Sequence, residues 1–265
     1  MDLTLLRQLP DAVSRKRGWL GGISLLVGVW LWWAVARWSG LPAFILPSPL
    51  DVGARFWRAL DDGSLMFHAM VTLLEILLGL LSGAMLATML GYLIAKSHTL
   101  ERLLSPYLVA SQAVPLVAIA PLLVIWFGPG MFSKVLICAL IVFFPVLVNT
   151  VVGVRAVPPA LYDLMHSLRA SRGQILQKLE IPAALPVFLG GLRIGATLSV
   201  IGAVVGELVG ADRGLGFLIN VGRGQYDTAL VFVAVFALIA LALALYGMVA
   251  WVEARVLVWQ EWRQK

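Results

Sequence analysis

Apolar residues occur in long, nearly uninterrupted runs along this 265-residue chain, without a regular alternation of apolar and polar positions. A run of about 20 such residues can cross a bilayer as a helix, which satisfies its backbone polar groups internally. The pattern predicts an all-α integral membrane protein with about six transmembrane helices. The expected helices are Trp19–Trp38, Phe67–Ala95, Leu103–Phe127, Phe132–Val154, Pro186–Val209 and Ala229–Val252.

Proline and glycine mark the interruptions between and within these runs. The motif SQAVP places Pro115 inside the third predicted helix, which we therefore expect to be kinked or broken. Residues 128–130, with the sequence GPG, indicate a tight external turn. Residues 39–66 carry three prolines and are expected to form an external connection with a short amphipathic helix. The glycine-rich residues 210–228 are expected to form another external loop.

A polar interval at residues 158–182 separates the fourth and fifth predicted helices. Pro158 and Pro159 favour a helix start, and the apolar residues that follow have the i, i+3, i+4, i+7 spacing of one helical stripe. Ser171 and Gln174 have the spacing of a capping box, which predicts a second helix ending at Pro182. The pattern predicts a cytoplasmic helix-turn-helix, but it fits a solvated loop with one helical turn equally well. The stripe consists of Leu161, Leu164, Met165 and Leu168.

The composition and charge support a membrane protein. Hydrophobic residues make up 61% of the chain and charged residues 13%, so one water-soluble core could not enclose the apolar surface. The net charge of +6 comes from basic residues beside the apolar runs, and more of them lie on the predicted cytoplasmic side. We therefore expect both termini in the cytoplasm and no binding of nucleic acid.

Ionisable residues inside a membrane are functional candidates, because burying a charge there is costly. Glu75, Arg193 and Glu207 are such residues, while Lys134 is assigned to the outer interface. Glu75 and Glu207 are candidates for a translocation path, but each has a structural alternative. Glu207 could be an interfacial carboxylate, and Glu75 could pair with Arg193.

Three uncharged polar residues are further candidates for a translocation path. Ser111 and Gln112 lie beside the expected break at Pro115, and irregular backbone at membrane depth often marks a pathway. Asn149 lies within the fourth predicted helix and could instead bond across helices.

Several kinds of site are not indicated. The chain lacks the G-x-x-x-x-G-K-[ST] motif that holds the phosphates of ATP, so it is not expected to be an enzyme or to bind a cofactor. The three histidines are scattered without ligand spacing, and Cys138 has no second cysteine to pair with, so no metal site is expected.

The segment ASRGQILQKLEIPAALP, Ala170–Pro186, resembles the second half of the cytoplasmic signature of ABC importer permeases. That signature contains an acidic-Ala-Ala triplet, a glycine and a later Leu-Pro. Residues 163–165 occupy the triplet positions with only the acid retained, and Arg169 stands where glycine is usual. With PLLVIWFGPG, FFPVLVNTVVGVRAV and GELVGADRGLGF, the similarity extends over Met66–Val252. The most similar group is the nitrate, sulfonate and taurine permeases, with relatives for thiamine-type pyrimidines or riboflavin.

The resemblance divides the chain into three regions. Residues 1–65 comprise an N-terminal cytoplasmic segment, the first membrane helix and the external connection. Residues 66–252 form a permease core of five membrane helices, which includes residues 158–182, here called the coupling segment. Residues 253–265 form a cytoplasmic tail.

The resemblance also implies the partners of a permease in a bacterial inner membrane. These are a second permease copy in a homodimer, two cytoplasmic ATPase subunits that bind ATP and Mg, and an external solute-binding protein. The implied cycle is alternating access, with apolar coupling-segment residues buried on the ATPase and polar ones at the rim. The implied contacts are Leu161, Asp163, Leu164, Met165, Leu168, Arg169, Ala170, Ser171, Arg172 and Gly173.

The polar residues of the predicted path weakly favour a small aromatic heterocycle, related to a pyrimidine or riboflavin, over a sulfonate, taurine or nitrate. Two other functions are compatible with parts of the sequence. An ion-coupled secondary transporter could use Glu75 and Glu207 as proton carriers. An intramembrane enzyme would need a nucleophile and a base at membrane depth. The coupling segment favours the ABC importer over both.

Overall fold

Helices form nearly all of the structure. The computed structural model describes residues 9–113 and 115–258, with side chains described from residue 22 onward, and this part of the chain contains no strand. The helices are α1 (Leu9–Trp38), α2 (Pro49–Asp61), α3 (Ser64–Lys96), α4 (His98–Gln112), α5 (Leu116–Phe127), α6 (Met131–Arg155), α7 (Pro159–Ser167), α8 (Arg172–Ile175), α9 (Ile181–Leu208), α10 (Leu215–Gly224) and α11 (Thr228–Val256).

Four helices in the described residues are long and apolar enough to cross a membrane. They are α3, α6, α11 and a continuous helix at Arg172–Leu208, which contains α8 and α9. The helices α4 and α5 together form a broken span, and α1 contributes the shorter apolar stretch Gly22–Trp38. The prediction of an all-α membrane protein is confirmed. The first predicted helix begins at Trp19, and the side chains of residues 19–21 lie outside the described part of the chain. Residues 259–265, at the end of the predicted tail, also lie outside it.

The centre of the bundle is α6, which packs against α3 on one side and α9 on the other. Small residues allow this close approach. A Cβ on Gly83 of α3 would lie 2.5 Å from the carbonyl oxygen of Ala139, and one on Gly202 of α9 would lie 3.0 Å from the Cα of Cys138. Glycine is therefore required at Gly83, while a side chain at Gly202 would make α6 shift slightly. Small residues are common where membrane helices pack without a water-driven hydrophobic force.

The expected break in the third predicted helix is confirmed. The helix α4 ends at Gln112, α5 begins after Pro115, and the two helices are bent by 93° relative to each other. Proline cannot donate the backbone hydrogen bond that would continue α4, and in general it disfavours helical geometry at the residue before it. The GPG turn is also confirmed, because Gly128 has a φ of 81° directly after α5.

The fifth predicted helix begins earlier than expected. Its helix starts at Arg172 and runs through a π-helical turn, Leu176–Glu180, into α9 without ending at Pro182. Pro182 follows directly on the π-helical turn, where the regular i→i−4 hydrogen bonding is already interrupted, so its missing backbone donor does not end the helix. The predicted helix-turn-helix is therefore α7 followed by the first turns of a 37-residue helix.

The two predicted external connections both contain helices. In residues 39–66, α2 begins with a capping box between Ser48 and Asp51, as the prediction of a short amphipathic helix requires. Residues 210–228 were expected to form a loop, but they contain α10, which packs against α9 and α11. The ion pair between Arg55 and Asp227, at 2.7 Å, joins α2 to the start of α11.

Candidate functional site

The helix α7 presents a row of apolar side chains that nothing in the described chain covers. Leu161 is 40% exposed, Leu164 52% and Leu168 69%, while Met165 is half-buried. The i, i+3, i+7 spacing places the leucines on one face, as predicted. An uncovered apolar row at the end of a membrane bundle is typical of a surface that binds another protein.

The turn after α7 explains why glycine would be favoured at position 169. Arg169 has a φ of 53°, in the left-handed region that favours glycine. Its N–H donates to the carbonyl of His166 at 2.9 Å, and the N–H of Ala170 donates to that of Met165 at 2.9 Å. These two bonds form a Schellman motif, whose left-handed position is usually glycine. Arginine therefore keeps the turn at a conformational cost.

The capping box predicted for α8 is present. The Ser171 hydroxyl accepts from the Gln174 N–H at 3.3 Å, and the Gln174 side chain accepts from the Ser171 N–H at 2.8 Å. The polar residues predicted to surround the apolar row, Asp163, Arg169 and Arg172, are all exposed. Gly173 is also exposed, and Ala170 is half-buried. The fold thus gathers all ten predicted coupling residues in α7, α8 and the turn between them.

A buried carboxylate fastens the coupling segment to the bundle. Glu180, at the end of the π-helical turn, is 2% exposed and accepts a 2.9 Å hydrogen bond from the Tyr92 hydroxyl of α3. It also forms an ion pair with Lys96, the last residue of α3. The Lys96 ammonium lies 5.1 Å from the centre of the Tyr162 ring, which belongs to α7. Three helical elements therefore meet at one carboxylate.

The acid–base properties of Tyr162 reflect this environment. Burial raises the pKa of Tyr162 to about 12, and the nearby Glu180 carboxylate adds to the effect because a second negative charge would be repelled. The phenol therefore stays protonated near neutral pH and can donate to Glu180. A second ion pair at this end, Arg155 with Glu101 at 2.5 and 2.8 Å, joins the end of α6 to α4.

The predicted path residues do not form one cluster. Ser111 and Gln112 lie at the broken end of α4, where the Ser111 hydroxyl donates to the carbonyl of Leu108 at 2.9 Å and Gln112 is exposed. Gln112, Ser105 and Glu101 line an open cavity of about 170 Å³ between α4, α3 and α6. This cavity combines three polar groups with apolar walls.

Asn149 lies elsewhere on α6. Its amide donates to the carbonyl of Pro145 in the same helix at 2.8 Å, and its side chain lies against Gly191 of α9. The Asn149 amide therefore bonds within its own helix, and not to a neighbouring helix as the structural alternative required.

Glu75 does not pair with Arg193, so the structural alternative that invoked this pair is wrong. Lys134 of α6 donates to Glu75 Oε1 at 2.9 Å, and its side chain is 4% exposed. Glu75 has no exposed surface. Arg193 instead forms an ion pair with Glu253 of α11, and its guanidinium lies 5.1 Å from the ring centre of Tyr246.

Glu207 is buried in the same cluster as Glu75, under the start of α10. Its Oε1 accepts from the Thr72 hydroxyl at 2.6 Å, and its Oε2 accepts from the Gly216 N–H at 2.5 Å. Thr72 in turn accepts from the Leu215 N–H at 2.8 Å. Side chains of α3 and α9 thus cap the first turn of α10, a place where negative charge is favourable.

Sequence reasoning missed Lys134, Glu180, Tyr92 and Tyr162 as parts of these clusters. A signal for Glu180 was present, since an acidic residue next to a long apolar segment needs a partner. No signal identified which partner, because the contacts join residues 59 to 88 positions apart. Among the described residues, no group of histidine, cysteine and carboxylate side chains could hold a metal ion.

Comparison with known proteins identifies similar chains over most of this length. The family model described as "Binding-protein-dependent transport system inner membrane component" matches residues 83–258. The riboflavin transport system permease protein RibX of Chloroflexus aurantiacus is 46% identical over 238 residues, which cover 90% of this chain and 89% of RibX. The taurine transport system permease protein TauC of Escherichia coli is 34% identical, with 85% of this chain and 84% of TauC covered.

One more relative and one solved structure are also similar to this chain. The formylaminopyrimidine transport permease protein ThiX of Halalkalibacterium halodurans is 36% identical over 87% of this chain and 92% of ThiX. Among solved structures, an inward-facing structure of the MetNI methionine ABC transporter matches with a TM-score of 0.62 and 17% identity. That match covers 71% of this chain and 94% of the MetNI chain, and it shows a shared fold.

Proposed function

This chain belongs to the binding-protein-dependent inner membrane components, the multi-pass permeases of ABC importers, and we propose that its coupling segment binds a cytoplasmic ATPase that drives solute uptake. The permease is the membrane subunit of such importers and not the ATPase. The observation that carries the proposal is the row of exposed leucines on α7. Those side chains need an apolar partner outside this chain.

The proposed transporter contains two copies of this permease, two ATPase subunits that bind ATP and Mg, and an external solute-binding protein. The permease lies in a bacterial inner membrane with both termini and the coupling segment in the cytoplasm. The excess of basic residues on that side supports the orientation. Closure of the ATPases on ATP would displace α7, and the Glu180 cluster would transmit the displacement to α3 and α9. This motion would alternate access to the path.

The solute is proposed to be a small aromatic heterocycle, in the class of riboflavin or a pyrimidine. Two relatives named above, RibX and ThiX, carry such solutes in their names. The polar groups at the broken end of α4, Ser111 and Gln112, are uncharged and suit neutral hydrogen-bonding solutes. Glu75 and Glu207 are enclosed within the chain, so we assign them to structure and not to the path.

Binding to the ATPase is tested by co-purification of the permease with its ATPase subunit. Leu164→Glu places a charge in the apolar row and should abolish co-purification. Leu50→Glu is the matched control, because Leu50 is 74% exposed on α2 at the opposite end of the bundle. Equal ATPase recovery with the two variants, both present at wild-type amounts in the membrane, would contradict the proposal.

The solute class is tested by uptake of labelled riboflavin, a formylaminopyrimidine and taurine into cells that express the whole transporter. A heterocycle should be taken up and taurine should not. Gln112→Leu should lower uptake roughly tenfold by removing a polar contact. Gln225→Leu, at an exposed site directly after α10 and outside the coupling segment, should leave uptake unchanged. Uptake of taurine alone would overturn the assignment.

A further inference from the structure

Two carboxyl groups and one ammonium group share the buried cluster at the end of the bundle opposite the coupling segment. Glu75 and Glu207 have no exposed surface, and Lys134 is the basic side chain that bonds to this pair among the described residues. Two ionised carboxylates beside one ammonium would leave a net negative charge without water around it. Such a charge is strongly unfavourable, and neighbouring carboxyl groups commonly relieve it by sharing one proton.

The hydrogen bonds identify which carboxyl carries that proton. Both oxygens of Glu207 accept hydrogen bonds, one from Thr72 and one from the Gly216 N–H. Glu75 Oε1 accepts from Lys134, but Glu75 Oε2 is buried and no described donor points to it. A buried oxygen without a donor is costly as part of a carboxylate. If this oxygen is protonated instead, its hydroxyl can donate a hydrogen bond, and the cost of an unpaired buried oxygen is avoided.

An acceptor for that donation is present. The Glu207 carboxylate is the neighbouring acceptor, since the two side chains interact within one buried cluster and a hydrogen bond between them requires a proton. We infer that Glu75 is protonated at Oε2 and donates a hydrogen bond to the Glu207 carboxylate. Glu207 is then a carboxylate with three donors, and the cluster as a whole is neutral.

The groups around the pair fit this assignment. From α3, His68 accepts from the Gly214 N–H at its Nδ1, at 3.0 Å, so its ring is the neutral tautomer with hydrogen on Nε2. From α6, Lys134 and the buried Cys138 face the pair. Asp212, before α10, is exposed to solvent and interacts with Lys134. These groups supply no second positive charge.

The proton has a structural role, because Glu207 determines where α10 lies. A Cβ at Gly214 or Gly216 would overlap the Glu207 side chain, so the carboxylate lies directly against the backbone of α10. Loss of the proton would place a second negative charge beside Glu207 and would weaken its hold on the first turn of α10. The proton is resident in the fold and is not a transported ion. This inference does not depend on the identity of the ATPase or the solute.

Paired glutamine variants of the full chain in detergent test the assignment by thermal unfolding. Glu75→Gln replaces the acid by an amide that can donate to Glu207 and accept from Lys134, so the midpoint should change by less than about 2 °C. Glu207→Gln turns an amide NH2 toward one of the two donors, the Thr72 hydroxyl or the Gly216 N–H, and should lower the midpoint by roughly 5 °C or more. Equal losses in both variants would overturn the assignment.

Infrared spectroscopy reports the protonation state of a carboxyl group directly, which thermal unfolding does not. The wild-type chain should show the carbonyl band of a protonated carboxylic acid at neutral pH, and this band should be missing from Glu75→Gln. Persistence of that band in Glu75→Gln would overturn the inference. This comparison decides the question even if Glu207→Gln does not fold.

Discussion

The Tyr92 hydroxyl donates a 2.9 Å hydrogen bond to Glu180, so the last turns of α3 are fastened to the turn that leads from the coupling segment into α9. Lys96 pairs with the same carboxylate. Any displacement of the coupling segment must therefore either carry α3 with it or break a buried, charge-assisted cluster. If the coupling segment carries α3 with it, the Glu180 cluster is part of the proposed route from ATP hydrolysis to transport.

Glu180→Gln should separate ATP hydrolysis from uptake. The amide keeps the shape of the side chain but loses the ion pair with Lys96, at a cost of about 1–3 kcal/mol. We expect uptake per ATP hydrolysed, measured in proteoliposomes, to fall several-fold. Asp61→Asn, the same kind of change at an exposed carboxylate at the end of α2, is the control and should retain the wild-type ratio. An unchanged ratio in Glu180→Gln would exclude the cluster from the route.

Arg169→Gly should stabilise the chain. Arg169 has a left-handed conformation that costs an L-residue about 1 kcal/mol and glycine almost nothing, so the unfolding midpoint should rise by about 2–4 °C. Arg172→Gly changes an equally exposed arginine in helical conformation and should not raise the midpoint. A rise with both variants would show that loss of positive charge, and not backbone geometry, is the cause.

Lys134→Met should destabilise the chain by about 3 kcal/mol, since it removes one partner of a buried ion-pair cluster. Thermal unfolding in detergent measures the loss. Lys178→Met alters an exposed lysine and should have no measurable effect. If Lys134→Met unfolds at the wild-type temperature, Lys134 does not contribute the charge on which the cluster depends.

Gly83→Val should prevent correct packing of α3 on α6, because the added Cβ would lie 2.5 Å from a backbone oxygen that cannot move aside. Overpacking costs about 1–3 kcal/mol or more, and we expect much less folded protein in the membrane fraction. Gly247→Val is the matched control, since no atom lies within 4 Å of the added group in α11. Equal yields would contradict the close α3–α6 crossing.

The features predicted correctly from sequence depend on neighbours close along the chain. The capping box of Ser171 and Gln174 and the break before Pro115 each follow from a few adjacent residues. The apolar runs also identified the membrane helices, because each run satisfies one physical requirement by itself. At Arg169, the resemblance pointed to the residue with unusual backbone geometry before its φ was known.

The contacts between helices could not be predicted in this way. Glu75 and Arg193 each lie about 11–12 residues into their helices, but α3 starts at the end opposite the coupling segment and α9 starts beside it. The two side chains are therefore at different depths in the bundle. Glu75 pairs with Lys134, and Arg193 pairs with Glu253. Pro182 failed as a stop signal because it follows a π-helical turn that already interrupts the regular hydrogen bonding of the helix. Relative depth and helix rotation are set by packing, which a local pattern does not contain.

The continuous helix from Arg172 to Leu208 joins the two ends of the molecule mechanically. At 1.5 Å per residue it is about 55 Å long, with the coupling segment at one end and Glu207 near the other. A displacement at one end of this helix can therefore reach the other end, with the helix pivoting where it crosses α6 at Gly195 and Gly202. The π-helical turn at residues 176–180 interrupts the regular hydrogen bonding of this helix, so we expect the helix to bend there first when the coupling segment is displaced.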